Sequence, residues 1–222
     1  MNRPRRGGRA RQVMSERVNS ERVLGVLLAG GLAQRMGGGD KPLKTVAGIS
    51  ILDRVIGRMV MQCDGLILNA NGDPSRFEFT GLPVVPDVLP DYAGPLAGIL
   101  AGMDHAAAHG FHSILTVSAD SPFLPRDLAL RLILERRGQK LKLACAKSGG
   151  FTHPPIGLWD VDLRHDLRAA LLEGERKIDR WTKRHGVAEV EWLVVPFDPF
   201  FNANTPDDLT AAAAIVARHP DA

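Results

Sequence analysis

The chain has 222 residues, 45% of them hydrophobic and 24% charged, a balance that suits one globular domain with a full core. No apolar run approaches the length a membrane-spanning helix needs, and the positive N-terminus leads into no separate apolar segment with a cleavage site, so a cytoplasmic chain is expected. The formal net charge of +3 divides unevenly. Residues 1–22 hold seven arginines against Glu16 and Glu21, and the remaining 200 residues carry 21 basic and 23 acidic groups. The body is therefore slightly acidic and sets nucleic acid aside as a partner, while residues 1–22 read as a basic, disordered extension ahead of a domain over residues 23–222.

In chain order, the near-continuous apolar run Val23–Ala29 predicts a strand buried on both faces. A glycine-rich stretch from Gly30 to Gly39 follows. Residues 50–62 place Ile51, Leu52, Val55, Ile56, Met59 and Val60 on one helical face. Gly65–Ala70 predicts a second strand, and the Pro/Asp/Gly-dense segment 83–95 a short strand followed by a long loop. Leu96, Ile99, Leu100 and Met103 mark an amphipathic helix.

Ser113–Ser118 is the third strand, ending at Ala119-Asp120. Helix is predicted over 125–136, 161–174 and 177–185, and strand over Leu141–Ala146 and Val187–Val195. Thr205-Pro206-Asp207-Asp208 opens the last helix with an N-cap, a first-turn proline and acids on the dipole. Such alternation predicts a mainly parallel sheet with helices on both faces, whose ligands bind beyond the carboxyl ends of the strands.

Two features fall at that edge. Residues 28–41 read LAGGLAQRMGGGDK, and glycines let backbone amides approach a phosphate closely, while Arg35 and Lys41 supply cations. Pro42 after Lys41 excludes a Walker A loop, and a dinucleotide-binding GxGxxG is absent. By composition alone a flexible surface loop explains this stretch nearly as well. Asp120, after the third strand, suits a metal that takes oxygen ligands, or equally a cap on the turn before Pro122.

Elsewhere the residues favour structural roles. Cys63 and Cys145 lack a CxxC partner and read as buried free thiols. His105 and His109 have helical ligand spacing but no zincin glutamate follows, so they read as solvent-facing. Trp159, Trp181 and Trp192 read as packing residues.

The whole string LAGGxxxRMGxxDK resembles the opening motif of the molybdenum cofactor guanylyltransferases, of which sugar-phosphate nucleotidylyltransferases carry a looser version. NANGD (69–73), VPDVLPDYAGPLAGI (85–99), SADSPFLP (118–125), HPPIGLW (153–159) and FNANTPDDL (201–209) resemble that family's segments in the same order. The resemblance implies an α/β chain with the Rossmann-like three-layer α/β/α nucleotidyltransferase fold. It implies transfer of GMP from GTP to the terminal phosphate of the molybdenum-pterin cofactor, with Mg2+ or Mn2+ and release of pyrophosphate.

By resemblance Leu28, Ala29, Gly30, Lys41, Asn69, Asp87, Gly98 and Asp120 contact the nucleotide. Asp120 binds the metal, and Lys41 with Arg35 neutralises phosphate charge. His153, Asn202 and Asn204 are candidates for the pterin side, set against turn and helix-start roles. Ala119 stands where the family often has cysteine, a departure of little weight for magnesium.

The cytidylyltransferase sibling, which tends to read LAAG, and a non-catalytic nucleotide-binding protein of the same fold are the alternatives. Gly30 and Gly31 favour GTP over CTP, and the presence of both Asp120 and Lys41 argues for catalysis. The implied partners are the two substrates, with transient contacts to cofactor-synthesis proteins and acceptor molybdoenzymes, and the chain is expected to be a monomer.

Overall fold

The computed structural model describes residues 21–30, 41–89 and 94–220. Its centre is a seven-stranded sheet. The strands are β1 (Val23–Leu28), β4 (Gly65–Asn69), β5 (Val84–Val85), β6 (Ser113–Ser118), β7 (Leu143–Ser148), β8 (Phe151–Asp160) and β9 (Ala188–Trp192). Their order is β5-β4-β1-β6-β8-β7-β9, and β2 (Thr45–Val46) with β3 (Ile49–Ser50) forms a separate hairpin. The pairs β1–β4, β1–β6, β4–β5 and β7–β9 are parallel. Only β8 runs against its neighbours, β6 and β7.

Two helical layers bury the sheet. Helices α1 (Ile51–Met59), α3 (Leu128–Gly138) and α6 (Pro206–Arg218) cover one face, with Ile51, Val55, Leu128, Leu132 and Ala212 in one apolar cluster. Helices α2 (Pro95–Ala108), α4 (Arg164–Leu172) and α5 (Ile178–Thr182) cover the other, through Leu96, Leu100, Leu167, Ile178 and Trp181. This is the expected three-layer α/β/α arrangement. All three tryptophans are buried, as expected of packing residues.

Local signals set most boundaries. Ser50 caps α1 by accepting from the Asp53 amide, and α6 opens with a complete Thr205–Asp208 capping box behind Pro206, each satisfying amides that a helix start leaves orphaned. Helix α3 begins at Leu128 rather than at Pro125. There Gln62 accepts from the Ala129 amide and donates to the Pro125 carbonyl, so a side chain from outside the helix fixes its start.

The largest departure from the sequence reading is β8, for which no strand was predicted. Its prolines, Pro154 and Pro155, speak against a central strand, because they cannot donate to a ladder. The structure resolves the conflict with a register shift between Cys145 and Ala146 of β7, which leaves Pro154, Pro155 and Ile156 outside the β7–β8 pairing. A bulge of this kind is where a sheet tolerates proline.

Residues 21 and 22, which charge alone groups with the basic extension, are bonded to the body. Glu21 receives hydrogen bonds from Ser113 Oγ (2.6 Å), Arg137 Nη2 (2.7 Å) and Arg136 Nη2. Ser113 is the first residue of β6, so this anchor lies at the edge opposite the strand carboxyl ends. Residues 1–20 lie outside the described residues.

Candidate active site

The carboxyl ends of β1, β4 and β6 stand side by side. Leu28 is in register with Asn69 on one side and Ser118 on the other. Immediately beyond the last paired residues, the Ala29 amide donates to the Asn69 carbonyl at 2.9 Å, and the Ala119 amide to the Leu28 carbonyl at 3.1 Å. The start of the glycine-rich loop is thus clamped between the strand carrying Asn69 and the strand leading to Asp120. Gly30 is exposed at the mouth of this edge. Arg35 and the Lys41 side chain lie outside the described residues.

Asn69 is only 4% exposed, and both hydrogens of its side-chain amide are engaged. Its Nδ2 donates to the Val85 carbonyl at 3.1 Å and to Asp87 Oδ1 at 3.0 Å. Asp87 is held from the other side by Asn71, whose Nδ2 donates to Oδ2 at 2.8 Å and whose Oδ1 accepts from the Asp87 amide at 2.9 Å. The carboxylate is therefore preorganised by two amide side chains. Sequence reasoning passed over Asn71, although its place in NANGD, two residues after Asn69 on an extended chain, was a usable signal.

Gly98 sits one turn into α2 and is buried. A Cβ there would lie 2.2 Å from Asn69 Oδ1 and 3.0 Å from Leu28 Cδ2. Glycine is what lets the helix start rest on the ends of β1 and β4, with its amide-rich terminus at the same edge as Asn69.

Asp120 follows β6 in a turn in which the Ser121 amide donates to the Ser118 carbonyl at 3.3 Å. The Asp120 carbonyl accepts from the Ala203 amide at 3.0 Å, and Ser121 Oγ donates to Asn202 Oδ1 at 2.6 Å. The chain after β9 thus returns across this edge and lays Asn202 beside the Asp120 turn. Asn204 lies two residues on, its amide donating to the capping carboxylate of Asp208 at 2.8 Å. Among the described residues no group of three or more His, Cys, Asp or Glu side chains could hold a metal alone. Asp120, with one carboxylate oxygen buried, suits a hard cation that completes its shell with substrate phosphates and water.

His153 is not in a turn. It lies in β8 opposite Ala146, next to the bulge. Because β8 is antiparallel to β6, its amino end shares an edge with the carboxyl end of β6. His153 Nε2 is 2.7 Å from Ser148 Oγ, which in turn donates to Asp198 Oδ1 at 2.9 Å. The ring packs on Phe200 at a centroid distance of 4.8 Å. Burial pushes the His153 pKa down, more than the Asp198 and Glu191 carboxylates push it up, so the imidazole is neutral near pH 7.

Both cysteines are free, Cys145 buried and Cys63 half-buried. Burial pushes both thiols up to about 12, which makes them poor nucleophiles. His105 and His109 stack ring on ring at 4.1 Å.

The sequence profile of the MobA-like NTP transferase domain matches residues 25–190. The chain belongs to that family. Its chemistry is therefore nucleotidyl transfer, and the edge that gathers Leu28, Asn69, Asp87 and Asp120 lies beyond the carboxyl ends of the strands, where open α/β sheets in general place their ligand crevice.

A molybdenum cofactor guanylyltransferase from Nitrobacter hamburgensis is 57% identical over 196 residues, covering 87% of this chain and 94% of the relative. Among solved structures, molybdopterin-guanine dinucleotide biosynthesis protein A from Archaeoglobus fulgidus superposes with a TM-score of 0.68 at 23% identity, covering 88% of this chain and 99% of the other. A Mycobacterium tuberculosis protein solved in complex with manganese superposes with a TM-score of 0.61 at 19% identity, covering 87% and 98%. These two structural likenesses bear on the fold, which they share with this MobA-like chain.

Proposed function

We propose that this protein transfers GMP from GTP to the terminal phosphate of the molybdenum-pterin cofactor, assisted by a divalent ion that Asp120 helps to hold. The observation that carries the reading is the convergence of Ala29, Asn69, Asp87 and Asp120 at one sheet edge, in a chain whose close relative bears the guanylyltransferase name. In this reading Leu28, Ala29, Gly30, Asn69, Asp87 and Gly98 form the nucleotide side, with Lys41 and Arg35 on the phosphates. His153, Asn202 and Asn204 form the acceptor side.

A phosphate monoester has a second pKa of about 6, so the attacking oxygen is largely ionised near pH 7 and no side chain has to remove its proton. The rigid Asn69–Asp87–Asn71 unit orients the nucleotide, and the Asp120 turn brings the acceptor-side Asn202 alongside it. Catalysis then rests on alignment and charge neutralisation. When bound, the ion adds positive charge at the triphosphate. The donor set at Asp120 fits Mg2+, and the manganese complex of a protein with the same fold makes Mn2+ the natural comparison.

The test is thermal stabilisation by GTP, CTP, ATP and UTP, each with Mg2+ and then Mn2+, since ligands that bind the native state raise the melting point. Selective stabilisation by GTP, followed by GTP-dependent pyrophosphate release with the pterin acceptor, is the expected result. Selective stabilisation by CTP would overturn the guanylyl assignment in favour of cytidylyl transfer.

A further inference from the structure

Ser148 and Asp198 have no part in the proposed nucleotide side, yet with His153 they form a connected polar arrangement. Ser148 is the last residue of β7 and 2% exposed. Asp198 lies in the segment returning from β9, and its Oδ1 accepts from both Ser148 Oγ and the Phe200 amide, each at 2.9 Å. A hydroxyl has one proton to give, and here it goes to the carboxylate. Ser148 Oγ can therefore only accept from His153, at 2.7 Å, which places the proton of a neutral imidazole on Nε2.

The other ring nitrogen is then a bare acceptor. Among the described residues none is hydrogen-bonded to His153 Nδ1, and the ring is only half-buried. Phe200 at 4.8 Å and the β8 backbone fix its plane.

We propose that Ser148 and Asp198 are positioning residues that lock His153 in its Nε2–H tautomer, so that Nδ1 offers a lone pair to an N–H group of the heterocyclic acceptor substrate. The relay makes the site choose a donor-bearing ring edge over an acceptor-bearing one. An unlocked imidazole would present either. Orientation of a histidine through its second nitrogen is a general device for setting what the first one recognises. The proposal rests on the reading that His153 faces the acceptor.

The first arm of the test is a long-range 1H–15N correlation spectrum of the imidazole groups of the free protein, with His153 assigned from the loss of its signal in His153→Gln. The expected wild-type pattern is a protonated Nε2 and an unprotonated Nδ1, with Ser148→Ala giving a mixture of tautomers. The second arm is steady-state transfer to the molybdenum-pterin cofactor. Ser148→Ala and Asp198→Ala are expected to raise the acceptor KM about tenfold, the worth of roughly one hydrogen bond, and to leave the GTP KM unchanged.

His153→Asn, whose amide oxygen overlays Nδ1, is expected to retain more acceptor affinity than His153→Gln. Melting curves of each variant identify any that fail to fold. A wild-type ring protonated at Nδ1, or an unchanged acceptor KM in folded Ser148→Ala, overturns the proposal. An unchanged acceptor KM in His153→Gln beside an intact wild-type tautomer overturns it by removing the acceptor-side reading beneath it. A switch of nucleotide from GTP to CTP would overturn the guanylyl assignment and leave the tautomer result standing.

Discussion

The backbone amide of Ala203 donates to the carbonyl of Asp120 at 3.0 Å, and that bond helps to join the two halves of the proposed site. Through it the turn carrying the proposed metal ligand is continuous with the segment carrying Asn202 and Asn204. Ser121 reinforces the junction by donating to Asn202 at 2.6 Å. Displacement of either segment must therefore move the other, which in the proposed reaction would serve to keep the two substrates in line.

Because the junction uses the carbonyl of Asp120, it survives changes to the side chain. Asp120→Asn is expected to lower turnover on the order of 100-fold or more, as loss of a group that offsets developing charge does. The melting temperature is expected to stay within a few degrees. Parallel transfer assays and calorimetry check this, and a folded variant with full activity would remove Asp120 from the chemistry.

Gly98→Ala tests the nucleotide side. The added Cβ would meet Asn69 Oδ1 at 2.2 Å and must push Asn69, and with it Asp87, out of place. Overpacking of this kind costs about 1–3 kcal/mol, and the GTP KM is expected to rise severalfold. Gly102→Ala is the control, since its Cβ would meet Val26 Cγ2 at 2.8 Å. It is expected to lower stability with no change in the GTP KM.

Glu21 supplies a pH-dependent term. Burial opposes its ionisation, but Ser113, Arg136 and Arg137 outweigh that penalty and hold its pKa below the ordinary glutamate value. A carboxyl with a depressed folded pKa contributes stability that is present above its unfolded pKa of about 4.3 and is lost as pH falls through the lower folded value. Its side chain is 9% exposed and that of Arg136 is 7% exposed, so breaking the pair is expected to cost about 3–5 kcal/mol. Urea melts of Glu21→Gln are expected to show that deficit in full at pH 7 and a progressively smaller one as the pH is lowered below about 4.

Thr116 links the core to the HPP segment. Its Oγ1 accepts from Trp159 Nε1 at 2.7 Å and donates to the Pro155 carbonyl at 2.8 Å. Thr116→Val leaves a buried indole N–H and a carbonyl unsatisfied, at an expected cost of about 1–3 kcal/mol each. If that bond also holds the bulged strand in place, the acceptor KM rises while the GTP KM does not. Denaturant melts and two-substrate kinetics separate the two effects.

Most strands and helices were legible because their causes are local. The strand at Ser113–Ser118 matches its predicted bounds, since a short apolar run between polar ends needs no distant information. Helix α6 announced itself through Thr205, Pro206 and Asp208. The meeting of Leu28, Asn69 and Asp120 at one sheet edge was legible because these residues sit in compact motifs at strand ends, where an α/β sheet places ligands. The residues of the proposed acceptor side were only half legible. His153, Asn202 and Asn204 stood out as polar residues in distinctive blocks, whereas Ser148 and Asp198 carried no pattern of their own.

The sequence by itself determined the alternation of strands and helices, the buried faces and the caps, all set by side-chain periodicity and backbone preference within a few residues. Only the tertiary structure decided that the proline-bearing stretch 151–160 enters the sheet against its neighbours. The same holds for Glu21 closing a cluster with Arg136, and for Ser148, His153 and Asp198 meeting in one relay. Those contacts join residues up to 115 positions apart. Their stability comes from partners that no local window contains, so neither propensity nor periodicity can encode them, and only the packed sheet brings them within hydrogen-bonding distance.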